Sequence, residues 1–369
     1  MSNIITLWGI IGAALSSGFI AMLLAALHLF ALDKNWYFLR ARGWIVAIGA
    51  VLGFFLGSTV HTVNAQYSET VAYQNTAQIS YTKGDYASAL QDYNEAIRLS
   101  PQIAQSYAGR ALVEYARSNS QAAFADFSHA ISLDSEEMDS YYYRGLLRRN
   151  DPNVLNPDNL DGQIADFSQV IRLNPKLADA YQYRGQALYW RGQYQQAAAD
   201  LDMAIQLNPQ LADVYAQRAN VRRTLGNNDG ALADYHEALR VNSQDGLVYR
   251  YRGDLRRLLG DDAGAISDYS ATLRLRPLDS TAFAGRGAAE YTRNDFAGAQ
   301  ADFSRALQLN PHYPDALYGR ALVRSASGDY AGSVSDLRAI LALRPDYPQA
   351  ITIAAYLARQ GRPALAGKS

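Results

Sequence analysis

The chain has no cysteine. That removes disulfides, thiolate nucleophiles, iron–sulfur ligation and cysteine-type zinc sites together. Histidine is scarce: five residues, at 28, 61, 129, 236 and 312, none near enough to another to suggest a local metal site. An excess of charge of one sign is missing too. Thirty-four basic residues stand against thirty-five acidic ones, so there is no electrostatic footprint for DNA or RNA, and no nucleic-acid partner is expected. Disorder is excluded by composition, with 49% hydrophobic and only 19% charged residues. The 369 residues suffice for two domains or one elongated one.

Charge is absent altogether from two N-terminal stretches. Ile4 to Leu32 is 29 residues without a charged side chain, ample for a membrane-spanning helix of about 20. Gly43 to Val60 is a second stretch of 18. A cleaved signal peptide fits poorly, because no basic residue precedes the first stretch and a second apolar stretch follows. Residues 1–60 therefore read as a transmembrane helical hairpin, about 4–32 and 43–60, embedded in a lipid bilayer. Its loop carries Lys34, Arg40 and Arg42, while the outer flanks lack Lys and Arg as far as Lys83. The positive-inside rule places the loop in the cytoplasm and everything after residue 60 on the other side. Trp8, Trp36, Tyr37 and Trp44 sit where an interfacial aromatic belt is expected. Ala13, Ser17, Ala21 and Ala25 form a small-residue ridge on the first helix, and Gly49, Gly53 and Gly57 one on the second. Such ridges let backbones approach in lipid. The plain expectation is packing within the hairpin, and the sharper one is docking of an integral-membrane partner.

The remainder repeats. Pro101, Ser135, Pro175, Pro209, Ser243, Pro277, Pro311 and Pro345 recur every 34 residues, apart from one gap of 40. Small residues recur in two columns. One is Ala77, Ala111, Gly145, Gly185, Ala219, Gly253, Gly287 and Ala321, and the other is Ala89, Ala123, Gln163, Ala197, Ala231, Ala265, Ala299 and Ser333. A large residue recurs as Tyr93, Phe127, Phe167, Leu201, Tyr235, Tyr269, Phe303 and Leu337. A fourth column is Ala96, Ala130, Val170, Ala204, Ala238, Thr272, Ala306 and Ile340. These patterns describe a helical hairpin: small residues let two antiparallel helices touch, and the aromatic fills the gap beside them. Gly84, Gly192, Gly226, Gly260 and Gly328 end first helices with left-handed caps, and proline ends second helices. Arginine recurs on first helices (110, 144, 184, 218, 252, 286, 320) and aspartate on second helices (92, 126, 166, 200, 234, 268, 302, 336). An ion-pair ladder is expected, with pairing inside a unit or between neighbours equally open.

These columns, the period and the terminal proline closely resemble the tetratricopeptide repeat (TPR) family. The resemblance covers residues 70–347 as eight units, with a six-residue insertion in unit three. It implies an all-α superhelical solenoid of eight helical hairpins plus a capping helix over 348–360, followed by a tail to 369. Residues 61–69 form a short joint without Gly or Pro, into which the second membrane helix is expected to continue. The resemblance also implies a concave face, lined by first helices, that binds a protein or peptide partner. Projected residues there are Tyr142, Tyr143, Arg149, Tyr183, Trp190, Arg223, Arg250, Tyr251 and Arg257, including one member of each doublet at 148–149, 222–223 and 256–257. Aromatics and arginine are the types that anchor interfaces. The family's two-carboxylate clamp is not matched, because its positions hold Gln74, Gln78, Ala108, Ala216, Asn220 and Asp254.

No catalytic set is visible, and neither an enzyme nor a cofactor or metal site is expected. The C-terminal GRPALAGKS has phosphate-loop glycines spaced one residue too far apart, with no helix able to follow. Asp151, Asn153, Asp158 and Asp161 in the insertion offer oxygen ligands without calcium-loop spacing; loop chemistry accounts for them equally well. The expected function is a scaffold in the bacterial inner membrane with a periplasmic repeat array, its partner membrane-embedded or membrane-adjacent. The alternatives are an accessory subunit of an integral-membrane enzyme, or a client-holding chaperone similar to the apocytochrome chaperone of cytochrome c maturation.

Overall fold

The computed structural model describes residues 62–349 together with 352, 353, 355 and 356. The expected membrane helices, with Ala13, Ser17, Ala21, Ala25, Gly49, Gly53 and Gly57, lie outside the described residues, as do most of the expected capping helix and the tail. Among the described residues no helix is long and apolar enough to cross a membrane.

Contacts divide the chain at residue 102 into two compact units. The first contributes one hairpin, α1 (62–82) and α2 (Tyr86–Leu99). Residues 62–69 and 70–82 form one uninterrupted helix. The Gln66 side-chain amide donates to the Leu99 carbonyl at 2.6 Å, and the Thr70 and Ser100 hydroxyls meet at 2.8 Å, so the start of α1 is tied to the end of α2.

The second compact unit holds seven hairpins: α3 (Ala104–Ala116) with α4 (Ser120–Leu133), α5 (Met138–Arg149) with α6 (Pro157–Leu173), α7 (Ala178–Trp190) with α8 (Tyr194–Leu207), α9 (Ala212–Thr224) with α10 (Asn228–Val241), α11 (Gly246–Leu258) with α12 (Asp262–Leu275), α13 (Ser280–Thr292) with α14 (Phe296–Leu309), and α15 (Pro314–Ala326) with α16 (Tyr330–Leu343). Each helix packs most extensively on its hairpin partner, then on the next helix in the chain, and α3 also touches α5, α7 touches α9, and α13 touches both α11 and α15. After α16, Ile353 is buried in the core shared with α14 and α15.

All four repeating columns are buried where the pattern placed them, from Ala77 and Tyr93 to Ala321, Ser333, Leu337 and Ile340. The close approach is visible at Gly145, where a Cβ would stand 2.9 Å from the Phe167 ring. The predicted glycine caps have φ near +80°, and the units that lack them place Ser118 and Asn294 in the same left-handed conformation. The next residue begins the second helix: Asp85, Asn227, Asp261, Asp295 and Asp329 each accept the backbone N–H three residues on. The insertion in unit three is shared between loop and helix. The α6 helix begins at Pro157 with Asn156 as its cap and runs 17 residues against 14 for its counterparts. Asp161 pairs with Arg191, and Asp151 caps the turn at Asn153, so both serve the loop.

The ladder pairs inside each unit. Arg110, Arg184, Arg218, Arg252, Arg286 and Arg320 each place Nε and Nη2 on the two oxygens of the aspartate 16 residues on; Arg144 does the same with Asp166, 22 residues on, across the insertion. Neighbouring units are joined by the remaining Nη1. It reaches back to the preceding second helix at Ser128, Ser168, Asp202 and Ser270, at 2.6–3.2 Å. An aromatic ring one turn earlier backs all but the last arginine: Tyr107, Tyr141, Tyr181, Tyr215, Tyr249 and Phe283, at 5.6–5.8 Å. Unit one carries Thr76 in place of arginine, its hydroxyl turned to its own helix, and Asp92 has no ion pair among the described residues.

Two predictions follow from this ladder. Asp200→Ala leaves Arg184 half-buried without its carboxylate and should cost roughly 1–3 kcal/mol, read as a lower Tm. The second concerns Glu290, which stands beside Asp302. Burial, and then Asp302, raise its carboxyl from an ordinary 4.5 to about 7, against the pull of Arg286. A raised folded pKa adds stability that is complete below 4.5 and is lost as pH rises through about 7. Glu290→Gln should therefore raise stability at pH 8 by about 1–2 kcal/mol after allowing for partial exposure, read as a higher Tm, and the gap should close by pH 4.

Candidate protein-interaction groove

At 100° per residue, the ladder positions of α11, Arg252 and Arg256, lie on one side of the helix, and Leu247, Arg250, Asp254 and Arg257 lie on the other. On this second side α11, α13 and α15 enclose a groove of about 410 Å³. Its walls include Asp254 and Arg257 from α11, Tyr291 from α13, Asp315 and Tyr318 from α15, and Tyr347 just past α16. Bare backbone opens it. At Gly319 a Cβ would fall 2.2 Å from the Phe303 ring, and at Gly285 2.6 Å from the Tyr269 ring. Either side chain would push a core aromatic out of place.

Both carboxylates of the groove accept internal hydrogen bonds. Tyr347 donates to Asp315 at 2.8 Å, with its ring 5.9 Å from that of Tyr318. Tyr269 donates to Asp254 at 2.7 Å. Burial pushes the Asp254 carboxyl above its usual range, against the pull of that hydrogen bond and of Arg250, Arg257 and Arg223. The Tyr269 bond follows a rule that runs through the repeats. Where the large column holds tyrosine, the residue 15 positions earlier is polar and accepts its hydroxyl: Gln78 for Tyr93, Asn220 for Tyr235, Asp254 for Tyr269. Where it holds phenylalanine, that residue is apolar: Leu112, Leu146 and Ala288. The signal lies in the pairing of two columns, not in either column alone.

Of the projected partner-binding residues, Tyr142, Tyr143, Arg149 and Tyr183 come together in units three and four. Tyr142 meets Tyr143 edge-on at 5.5 Å and Tyr183 at 6.3 Å, and Arg149 lies over Tyr183 at 4.8 Å while donating to Gln186. Tyr143 also stacks on Phe127, so it joins units two and three. Arg250 covers Tyr251 at 4.8 Å and lies 3.6 and 3.5 Å from Asp254 and Asp279. Arg223 and Arg257 stand free of such pairs. Trp190 is 54% exposed and lies one position past the register, which passes through Tyr189 instead. The doublets split: Arg148, Arg222 and Arg256 join the ladder on Asp166, Asp234 and Asp268, and only Arg149, Arg223 and Arg257 face the groove side. The tyrosines of the deepest part, 291, 318 and 347, lie in units seven and eight, beyond the projected set. Among the described residues no cluster of His, Asp and Glu is arranged to hold a metal ion.

The tyrosine rule is testable. Tyr235→Phe strands the Asn220 carbonyl and should cost about 1–2 kcal/mol. Adding Asn220→Leu, the pairing that units two and three use, should recover most of that loss in a double-mutant cycle followed by thermal unfolding.

Tetratricopeptide-repeat models match residues 75–137, 217–280 and 285–348, and a second such model matches 178–211. No curated protein sequence matches the chain. Among solved structures it is similar to YrrB, described as a TPR protein with an unusual peptide-binding site, at 20% identity over 51% of this chain and 97% of that one, TM-score 0.46. A TPR protein from Parabacteroides merdae is 17% identical over 72% and 99%, TM-score 0.47, and yeast Tom70 is 18% identical over 74% and 60%, TM-score 0.44. With its repeats matched over more than half its length, the chain belongs to the tetratricopeptide repeat family, whose members are generally protein-interaction scaffolds rather than enzymes.

Proposed function

We propose that this chain is a membrane-anchored scaffold whose repeat array lies on the extracytoplasmic side of a bacterial inner membrane and holds a protein partner at the bilayer. The observation that carries the scaffold reading is the division of the first helices. One face is used up by the ladder and its rings, and the other keeps a tyrosine-walled groove with unpaired arginines beside it. Aromatic and arginine side chains on a concave surface are what a protein partner can grip. The membrane reading is supported by the two uncharged stretches before residue 61 and by Lys34, Arg40 and Arg42 between them.

The uninterrupted helix over residues 62–82 favours a second reading, an accessory subunit fixed to an integral-membrane enzyme. A helix entering the first hairpin without a flexible break limits how far the array can move from whatever precedes it. Both readings place the partner in or next to the membrane.

Protease added to intact spheroplasts should digest the repeat array, and purification from detergent-solubilised membranes should recover a protein partner. A protected array would overturn the extracytoplasmic location. Recovery of the chain alone would overturn the scaffold. A stoichiometric membrane enzyme in the eluate would select the accessory-subunit reading.

A further inference from the structure

Arginines on the first helices fall into two populations. The seven ladder arginines, and Arg148, Arg222, Arg256 and Arg324 one turn later, all reach a carboxylate. On the opposite face, Arg149, Arg223 and Arg257 occupy one register position in units three, five and six, and none forms a salt bridge among the described residues. Arg149 is satisfied by Gln186 and Tyr183. Arg257 touches the Tyr269 hydroxyl and Arg223 lies near Tyr235, and the one carboxylate whose field both feel, Asp254, is already engaged by Tyr269 and faced by Arg250. Other arginines without ion pairs, such as Arg274, Arg305 and Arg338, are exposed on second helices. The two groove-side arginines differ in being consecutive in the stack, in register and beside a cavity.

The next step along the same row is Tyr291, which walls the groove. Packed helices lie about 10 Å apart, so successive positions in the row match every third residue of an extended chain at about 3.3 Å per residue. An extended segment crossing α9, α11 and α13 would meet a guanidinium, a second guanidinium and then the tyrosine-lined cavity. A basic segment is disfavoured, because both groove carboxylates, Asp254 and Asp315, already accept tyrosine hydroxyls.

We propose that Arg223, Arg257 and the adjoining groove bind an extended acidic segment of a partner protein, two side-chain carboxylates three residues apart taking the arginines and a large apolar side chain three residues further entering the cavity between α13 and α15. The proposal rests on the scaffold reading and names the chemistry of its partner. Bidentate guanidinium–carboxylate pairing gives the acidic positions, and the apolar and aromatic walls give the third.

The probe is an end-capped fluorescent peptide, Glu-Ser-Ser-Glu-Ser-Ser-Phe, titrated by anisotropy against the full-length chain in detergent micelles. Saturable binding is expected. It should weaken about tenfold or more with either Arg223→Gln or Arg257→Gln, and with Gln for Glu or Ser for Phe in the peptide. It should also weaken as salt rises. Neither arginine closes an ion pair, so Tm should stay put and the loss cannot be assigned to unfolding. Equal binding of the Gln peptide, tighter binding of a Lys peptide, or unchanged binding by the double variant would each overturn the proposal. A membrane partner recovered equally by wild type and the double variant, with no peptide binding, would overturn this assignment and leave the scaffold reading standing.

Discussion

Two helices can approach only as closely as the side chains between them allow, and in each hairpin of this protein those side chains are alanine, glycine or serine, with the single exception of the buried Gln163. The rest of the arrangement depends on that approach. It brings a first-helix arginine within bidentate reach of a second-helix aspartate, and a second-helix tyrosine hydroxyl within reach of a first-helix acceptor 15 residues back. The insertion in unit three illustrates the strength of the constraint. Its six residues are absorbed by a longer loop and an extra turn on α6, and Arg144 still meets Asp166.

Because the ladder consumes one side of the first helices from α3 to α15, it also decides what is left for recognition. The guanidinium forks, the aspartates and the rings beneath them form a polar seam, and in units three, four, five and seven the third arginine nitrogen joins the unit to the one before. A half-buried pair of this kind adds little net stability over an apolar replacement, but a wrong register would leave charges unpaired at real cost. The seam therefore fixes how hairpins stack. Fixed stacking in turn holds the opposite side chains at a constant spacing, as a groove for an extended ligand requires.

At the position where units three, five, six and eight carry a second arginine, units two and seven carry glutamate. Glu114 pairs with Arg117 and accepts from Asn119, but Glu290 stands next to Asp302. The same approach that favours the arginine pairs elsewhere crowds two carboxylates there. This irregularity lies on α13, whose other side walls the groove.

The amino-acid sequence by itself determined the repeat, its hairpin, the buried columns, the caps and the residue types of the ladder, because these follow from local periodicity that any unit displays. It left open whether arginine pairs within or between units, since aspartates 16 residues forward and 18 back along the chain are equally available on paper. Only the close packing of the hairpin selects the forward one, leaving the backward contact to the third nitrogen. Sequence projection named Tyr142, Tyr143, Arg149, Tyr183 and Trp190 among residues of one face, but that the first four touch, that Tyr189 rather than Trp190 continues the register, and that Tyr291, Tyr318 and Tyr347 wall a groove are features of the folded chain. A cavity is a property of what neighbouring helices fail to fill. Gly285 and Gly319 open it only because the Tyr269 and Phe303 rings from adjacent helices lie against them, and that adjacency exists only in the folded chain.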